Sequence, residues 1–195
     1  LDDKIHGVDR GALRASNIMK ELKAVYPNIT RATYVNGDEY EFLLTPVGID
    51  EGETVEDRLN IVKNCIDFLK RLGKTPKIAV LAEGRKDDFG RGPEVSQSIT
   101  DSEKLTELIN ENTDEEVENY YILVEKAIKD GCNVIVAPNG RVGNIIFRTL
   151  VLLNSWPSYG AITFGMDKIY IDTSRDQSIE GYVRSLTLAY ELDNF

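Results

Sequence analysis

Apolar positions change period several times along the chain, and each change marks an element. After residues 4–9, which read as the end of a strand, the stretch GALRASNIMKELKAVYP repeats Ile18, Met19, Leu22 and Val25 at helical spacing and is closed by Pro27. ITRATYV and EYEFLLTPV then flank Asn36-Gly37, which predicts an antiparallel hairpin turning there. In VEDRLNIVKNCIDFLKRLG, Leu59, Val62, Ile66 and Leu69 form one stripe. Thr54 precedes the first turn, acids fill it and Gly73 follows the end, so cap, macrodipole and stripe predict the same helix. PKIAVLA and CNVIVAP are short and almost wholly apolar, the pattern of strands buried on both faces.

Further helices are expected from near Glu94, where the acidic stretch through Asp114 leaves room for a break, and over EEVENYYILVEKAIKDG to Gly131. Another is expected over NIIFRTLVLLNSW, after a loop NGRVGN. The segment IYIDTSRDQSIEGYVRSL begins as an alternating β-branched strand and ends as an apolar-striped helix, with Asp172, Ser174, Arg175 and Asp176 at the join. Strand, glycine loop and helix recur in that order, which predicts an α/β fold with a mainly parallel sheet and right-handed crossovers.

Composition narrows the classes. The chain has 195 residues, 42% of them apolar, enough for one large domain or two small ones with a buried core. A net charge of -10, with acids clustered from Asp50 to Asp57 and from Asp101 to Glu118, argues against nucleic acid or an anionic membrane as partner. The run NIIFRTLVLL is broken by Arg148 and too short for a bilayer, and LDDKIHGVDRG lacks the apolar centre of a signal peptide. Cys65 and Cys132 sit in apolar segments without CxxC spacing or histidine neighbours, so reduced core thiols and a cytoplasmic location are expected. A strand already under way at Ile5 implies that part of the natural protein precedes Leu1.

Four strand-to-helix junctions carry arginine: VDRGALRAS with Arg10 and Arg14, LAEGRKDDFGRGP with Arg85 and Arg91, APNGRVGN with Arg141, and IDTSRDQS with Arg175. Any one of them needs no ligand, because glycine serves turns and surface arginine pairs with nearby acids. Four together in an acidic chain point to a small phosphorylated or carboxylated metabolite, since the guanidinium fork matches both groups. GxxxxGK[ST] and GxGxxG are both absent, which disfavours nucleotide hydrolysis and dinucleotide binding. His6 is the only histidine and is expected in the core or just behind the ligand contacts, so neither a histidine-based nucleophile nor a transition-metal site is expected. Asp87 and Asp88 read as a solvated loop pair before a hard-cation site, and Trp156 as a packing residue.

CNVIVAPNGRVGNIIFRTL resembles the buried strand, Gly-Asn loop and helix of phosphate acetyltransferases and butyryltransferases, and IDTSRDQSIEGYVRSLTLAY resembles their closing Asp, Ser-Arg and helix motif. HGVDRGALRASNIMKEL is similar to their glycine-rich turn, and PKIAVLA to their central strand. Within that superfamily, EGRKDDFGRGPEV and the ending DTSRDQSIEGYVRSLTLAYEL look most like methanogenesis marker protein 4, an archaeal family also called methyltransferase-related protein MtxX.

The resemblance implies an isocitrate/isopropylmalate dehydrogenase-like fold. It has two α/β lobes around a cleft, with residues 1–22 plus 158–195 in an incomplete first lobe, residues 23–157 in the second, and a homodimer. It implies Ser174 and Arg175 as the catalytic pair, Gly143 and Asn144 in the cleft loop, and Gly11 and Ser16 at the phosphate-side turn. Arg85, Arg91 and Arg141 add ligand contacts from the loops. Coenzyme A or an acyl-phosphate is implied by the resemblance alone.

Two positions depart from the pattern: Arg141 stands at a cleft-loop position usually uncharged in those enzymes, and the second bears on the chemistry. The acyltransferases carry an aspartate seven residues after the serine, suited to deprotonating a thiol, and Gly181 stands there. A protonated thiol is a poor nucleophile, and Glu180 points about 100° round a helix from that place. The expectation is therefore a transferase with an anionic ligand other than acetyl transfer to coenzyme A. The alternative is a non-catalytic metabolite-binding or assembly protein for methanogenic methyl transfer. AEGRKDDFGRG lacks the spacing of an S-adenosylmethionine site.

Overall fold

The computed structural model describes residues 5–194 apart from residues 12, 38 and 176, so Leu1 and Asp176 lie outside the described residues. In chain order the elements are β1 (Gly7–Asp9), α1 (Ala15–Val25), β2 (Thr30–Gly37), β3 (Tyr40–Thr45), α2 (Val55–Arg71), β4 (Lys77–Leu81) and α3 (Pro93–Asn112). They continue as β5 (Glu116–Tyr121), α4 (Val124–Lys129), β6 (Val134–Val136), α5 (Gly140–Phe147), β7 (Ser158–Phe164), β8 (Ile169–Asp172) and α6 (Ile179–Asp193). The strands form one sheet in the order β1-β8-β7-β2-β3-β6-β4-β5. β3, β6, β4 and β5 are mutually parallel, β1 is parallel to β8, and β2 and β7 join the two sets through antiparallel pairs. The fold is thus α/β with a mixed, mainly parallel sheet, and β1 and β8 run against the β3–β5 set.

Local chemistry explains both the agreements and the departures. α2 starts on a capping box: Thr54 Oγ1 accepts from Asp57 N at 3.0 Å, and the Asp57 carboxylate accepts from Thr54 N at 3.2 Å. The hairpin forms, but Asn36 pairs with Glu41 and Gly37 with Tyr40, so Asn36 and Gly37 belong to β2 itself and not to the turn. Gly37 serves a close approach, because a Cβ there would lie 2.2 Å from the Trp156 ring. Trp156 packs against Tyr40 and Phe42. α3 runs unbroken to Asn112, burying Ile99, Leu105 and Ile109.

The single helix expected over EEVENYYILVEKAIKDG is in fact β5 followed by α4. Exposed Glu116 and Glu118 alternate with the partly buried Val117 and Asn119, a period of two on an edge strand whose charge blunts further pairing. NGRVGN is not a loop either. Asn139 caps α5 by accepting from Val142 N at 3.0 Å, and Gly140 and Gly143 lie inside the helix. Beyond Phe147 the helix widens into a π-helical stretch, Arg148–Leu153.

One face of the sheet packs Ala32, Tyr34, Ile162 and Ile171 with α2, α3 and α6. The other face carries two separate covers: α4 and α5 over the β3–β5 half, and α1 over β8 through Met19, Ile29 and Tyr170. Between α1 and α5 that face of β2 and β7 is left open. His6, expected in the core or just behind the ligand contacts, is exposed just ahead of β1, its ring Nδ1 2.9 Å from Asp193 Oδ1. Cys65 and Cys132 are buried free thiols, and burial pushes the Cys65 thiol up. Among the described residues no helix is long and apolar enough to cross a membrane.

Candidate functional site

The uncovered stretch of sheet floors a cavity of about 730 Å³. Strand parity makes that floor polar: Arg31 and Thr33 of β2, Ala161 of β7 and Asp172 of β8 face it, while their chain neighbours Ala32, Ile162 and Ile171 face the core. One wall is the face of α1 that presents Ser16, Lys20 and Lys23, and the opposite wall is Asn144 of α5 with Arg148 beyond it. The rim comes from the β8–α6 junction, with Ser174, Arg175 and Gln177, and from Gly48 to Glu51 after β3.

The lining reverses the sign of the chain. Among the described residues it carries the cations Arg10, Lys20, Lys23, Arg31, Arg148 and Arg175 against the acids Asp50, Glu51 and Asp172. No side chain caps α1 and no acid occupies its first turn, so its partly positive N-terminal end adds to the field where Ala15 and Ser16 line the cavity. Arg175 is exposed, and among the described residues no carboxylate pairs with it, with Lys20 or with Lys23.

Beneath this open charge lies a buried ion network. Asp172 accepts from Arg10 with one oxygen and from Arg31 with the other. The remaining Arg10 nitrogens donate to the Leu13 and Thr173 carbonyls, so all three nitrogens of the buried Arg10 are engaged and it ties the turn after β1 to the end of β8. Asp9 accepts from Gly11 N at 2.7 Å, Thr173 Oγ1 at 2.8 Å and Ser185 Oγ at 2.5 Å, fixing the same turn. Arg31 Nε also donates to Glu51 at 2.7 Å. Burial works against the Arg31 charge, but the Glu51 and Asp172 carboxylates outweigh it and hold its pKa above the ordinary arginine value.

Of the residues singled out by sequence, Ser16, Asn144, Ser174 and Arg175 meet at this cavity. Gly11 does not line it; its backbone, at φ +62, forms the turn beside it. Gly143 is buried where a Cβ would lie 1.9 Å from the Pro46 carbonyl oxygen, so its smallness serves packing of α5 on the loop after β3. Arg141 is exposed on the first turn of α5, outside the lining, and Arg85 and Arg91 sit after β4. Arg91 is engaged by Asp88 at 2.9 Å. β4 lies five strand positions from β8, about 24 Å at the usual spacing, which is why that loop does not join the site. Sequence reasoning passed over Arg31, Glu51, Lys20 and Lys23. The one available signal was a charged residue in an otherwise buried strand, ITRATYV.

Gly181 is buried beside Gln177. A Cβ at 181 would lie 2.2 Å from the Gln177 side chain, so glutamine already fills the space an aspartate would need. Glu180 lies outside the lining, and hydrogen bonds from its own backbone and from Ser178 hold its carboxyl below the usual range.

No family model matches the sequence. The chain is 36% identical over 197 residues to an uncharacterized methyltransferase of Methanocaldococcus jannaschii, covering 95% of this chain and 79% of that protein. The chain belongs to the MtxX family of methanogens. A second member, provisionally named methyltransferase mtx subunit X in Methanosarcina barkeri, is 38% identical over 178 residues, 90% of this chain and 65% of that protein. Among solved structures, a branched-chain phosphotransacylase from Enterococcus faecalis superposes with a TM-score of 0.76 at 22% identity, covering 96% of this chain and 74% of that one. A β-decarboxylating dehydrogenase from Thermococcus kodakarensis superposes at 0.52 with 11% identity, covering 92% and 60%. The chain thus shares the phosphotransacylase-like and isocitrate dehydrogenase-like fold, and the two relatives above are methyltransferases by name.

Proposed function

We propose that the chain is a transferase acting on a phosphorylated or carboxylated metabolite of methanogen metabolism, held in the cavity between α1 and α5. Arg175 neutralises charge on the transferred group, Ser174 hydrogen-bonds it, and Ser16 and Asn144 hold the ligand on either wall. The cavity draws these residues from both stretches of chain, 1–22 with 158–195 and 23–157. The observation that carries the reading is a cationic lining, with Arg175 lacking a carboxylate partner among the described residues, in a protein of net charge -10. Arg175→Ala is expected to weaken binding of inorganic phosphate or acetyl phosphate at least about tenfold by calorimetry, the loss of one charge-assisted pair. Equal affinity in wild type and variant would remove Arg175 from the site.

Gln177 standing where a thiol base would need room favours a second reading, a metabolite-binding protein without turnover. On that reading Gly181→Asp, with Gln177→Ala to clear space, gives no product from acetyl phosphate and coenzyme A. Acetyl-coenzyme A formation by that variant counts against it.

A further inference from the structure

We propose that Glu51 is a built-in stand-in for a ligand oxyanion: it occupies the open edge of Arg31 at the cavity floor, and a phosphate or carboxylate of the bound metabolite displaces it. The inference rests on the anion-binding reading above and gives the same cavity a second anion position, distinct from Arg175.

The two carboxylates on Arg31 are held very differently. Asp172 cannot leave, because its other oxygen is committed to Arg10, which is itself anchored to two backbone carbonyls. Glu51 reaches the guanidinium through one oxygen, which takes Nε at 2.7 Å and Nη2 at 2.5 Å. Among the described residues its second oxygen accepts one hydrogen bond, from Gly48 N at 3.2 Å. The Nε/Nη2 edge is the side of a guanidinium that binds oxyanions with two parallel hydrogen bonds, and Glu51 uses it with a single oxygen. An incoming phosphate or carboxylate offers two.

Displacement needs no opening of the loop. Its backbone is fixed from the other side: Asn144 Nδ2 donates to Val47 O at 3.2 Å, and the Gly48 carbonyl lies against Gly140, where a Cβ would come within 1.6 Å. Only the Glu51 side chain has to rotate outward, past the exposed Ile49 and Asp50. Arg31 keeps Asp172 throughout, so the exchange never leaves a buried cation without a counter-charge.

Gly48 offers an independent handle. A Cβ on Gly48 would sit 2.5 Å from the Glu51 carboxyl carbon and 2.7 Å from Arg31 Nη2, and the residue does not adopt a positive φ. The nearest atoms such a methyl group would meet are the Glu51 carboxylate, whose side chain can rotate outward, and one corner of the Arg31 guanidinium, which Asp172 holds in place, so Gly48→Ala crowds Glu51 off Arg31 while leaving both in the sequence.

Calorimetric titration of wild type, Glu51→Gln and Gly48→Ala with inorganic phosphate and with malonate tests the proposal, with thermal unfolding run alongside to show that each variant is folded. Both variants are expected to bind more tightly than wild type, Glu51→Gln by about tenfold and Gly48→Ala by less because its methyl also crowds Nη2, since an internal competitor multiplies apparent affinity by the fraction of time the site stands free. The probe with the larger gain identifies whether phosphate or carboxylate is the displaced group's natural match. If wild type binds phosphate or malonate and both variants bind with equal or lower affinity, Glu51 is only a structural partner of Arg31 and the proposal is wrong, although the cavity reading stands. If no protein binds either probe, both fall.

Discussion

Asp172→Asn should lower the unfolding free energy by about 3 kcal/mol, the scale of breaking a buried ion pair by removing one partner. For a chain of this size that corresponds to a fall in Tm of roughly 6–12 °C. The substitution keeps shape and volume, so no cavity forms and the loss reports charge alone. Asp172 is shared between two guanidinium groups whose side chains are 5% and 11% exposed, and its own is 10% exposed. With an amide in its place, Arg10 keeps two backbone carbonyls and Arg31 keeps Glu51, yet two cations then face each other across a site holding one acid fewer. Differential scanning calorimetry measures it. A change within about 0.5 kcal/mol, typical of an exposed pair, would mean that water screens this network as it would an exposed one.

Gly143→Ala should cost about 1–3 kcal/mol as a shift in the urea midpoint at constant slope. A helix interior normally prefers alanine to glycine, so propensity alone predicts a gain of about 1 kcal/mol. The opposite sign is expected because the added methyl would lie 1.9 Å from the Pro46 carbonyl oxygen, a backbone atom that cannot rotate away. Either α5 moves back or the segment after β3 shifts, and Val47, which Asn144 grips, moves with it. Were Gly143 a ligand contact only, stability would stay level or rise while phosphate affinity alone fell.

How much of this was legible beforehand depends on whether local chemistry or strand order decides a feature. α2 was legible from end to end, because cap, stripe and terminal glycine are all local, and so were β4 and β6, whose composition admits little else. β5 was not: its glutamates suit a helix as well as an edge strand, and only pairing with β4 settles the matter. Glycines were read as loop formers when Gly37, Gly140 and Gly143 are there because other atoms come too close for a side chain. The site itself divides in the same way. Ser174 and Arg175 follow directly from a strand that ends and a helix that begins, whereas Arg85 and Arg91 looked equivalent and are removed by the placement of β4 far along the sheet. Arg31 could not be found from periodicity, because a polar residue on one side of a strand is informative only once no helix is seen to cover that side.

The most direct measurement is a crystal of the protein soaked with phosphate. Density for the anion is expected inside the cavity, within hydrogen-bonding reach of Arg175 and the first turn of α1, or at Arg31 with Glu51 swung aside. Phosphate found only at lattice contacts, with the space between α1 and α5 holding nothing but water, would contradict the claim that this cavity binds anions.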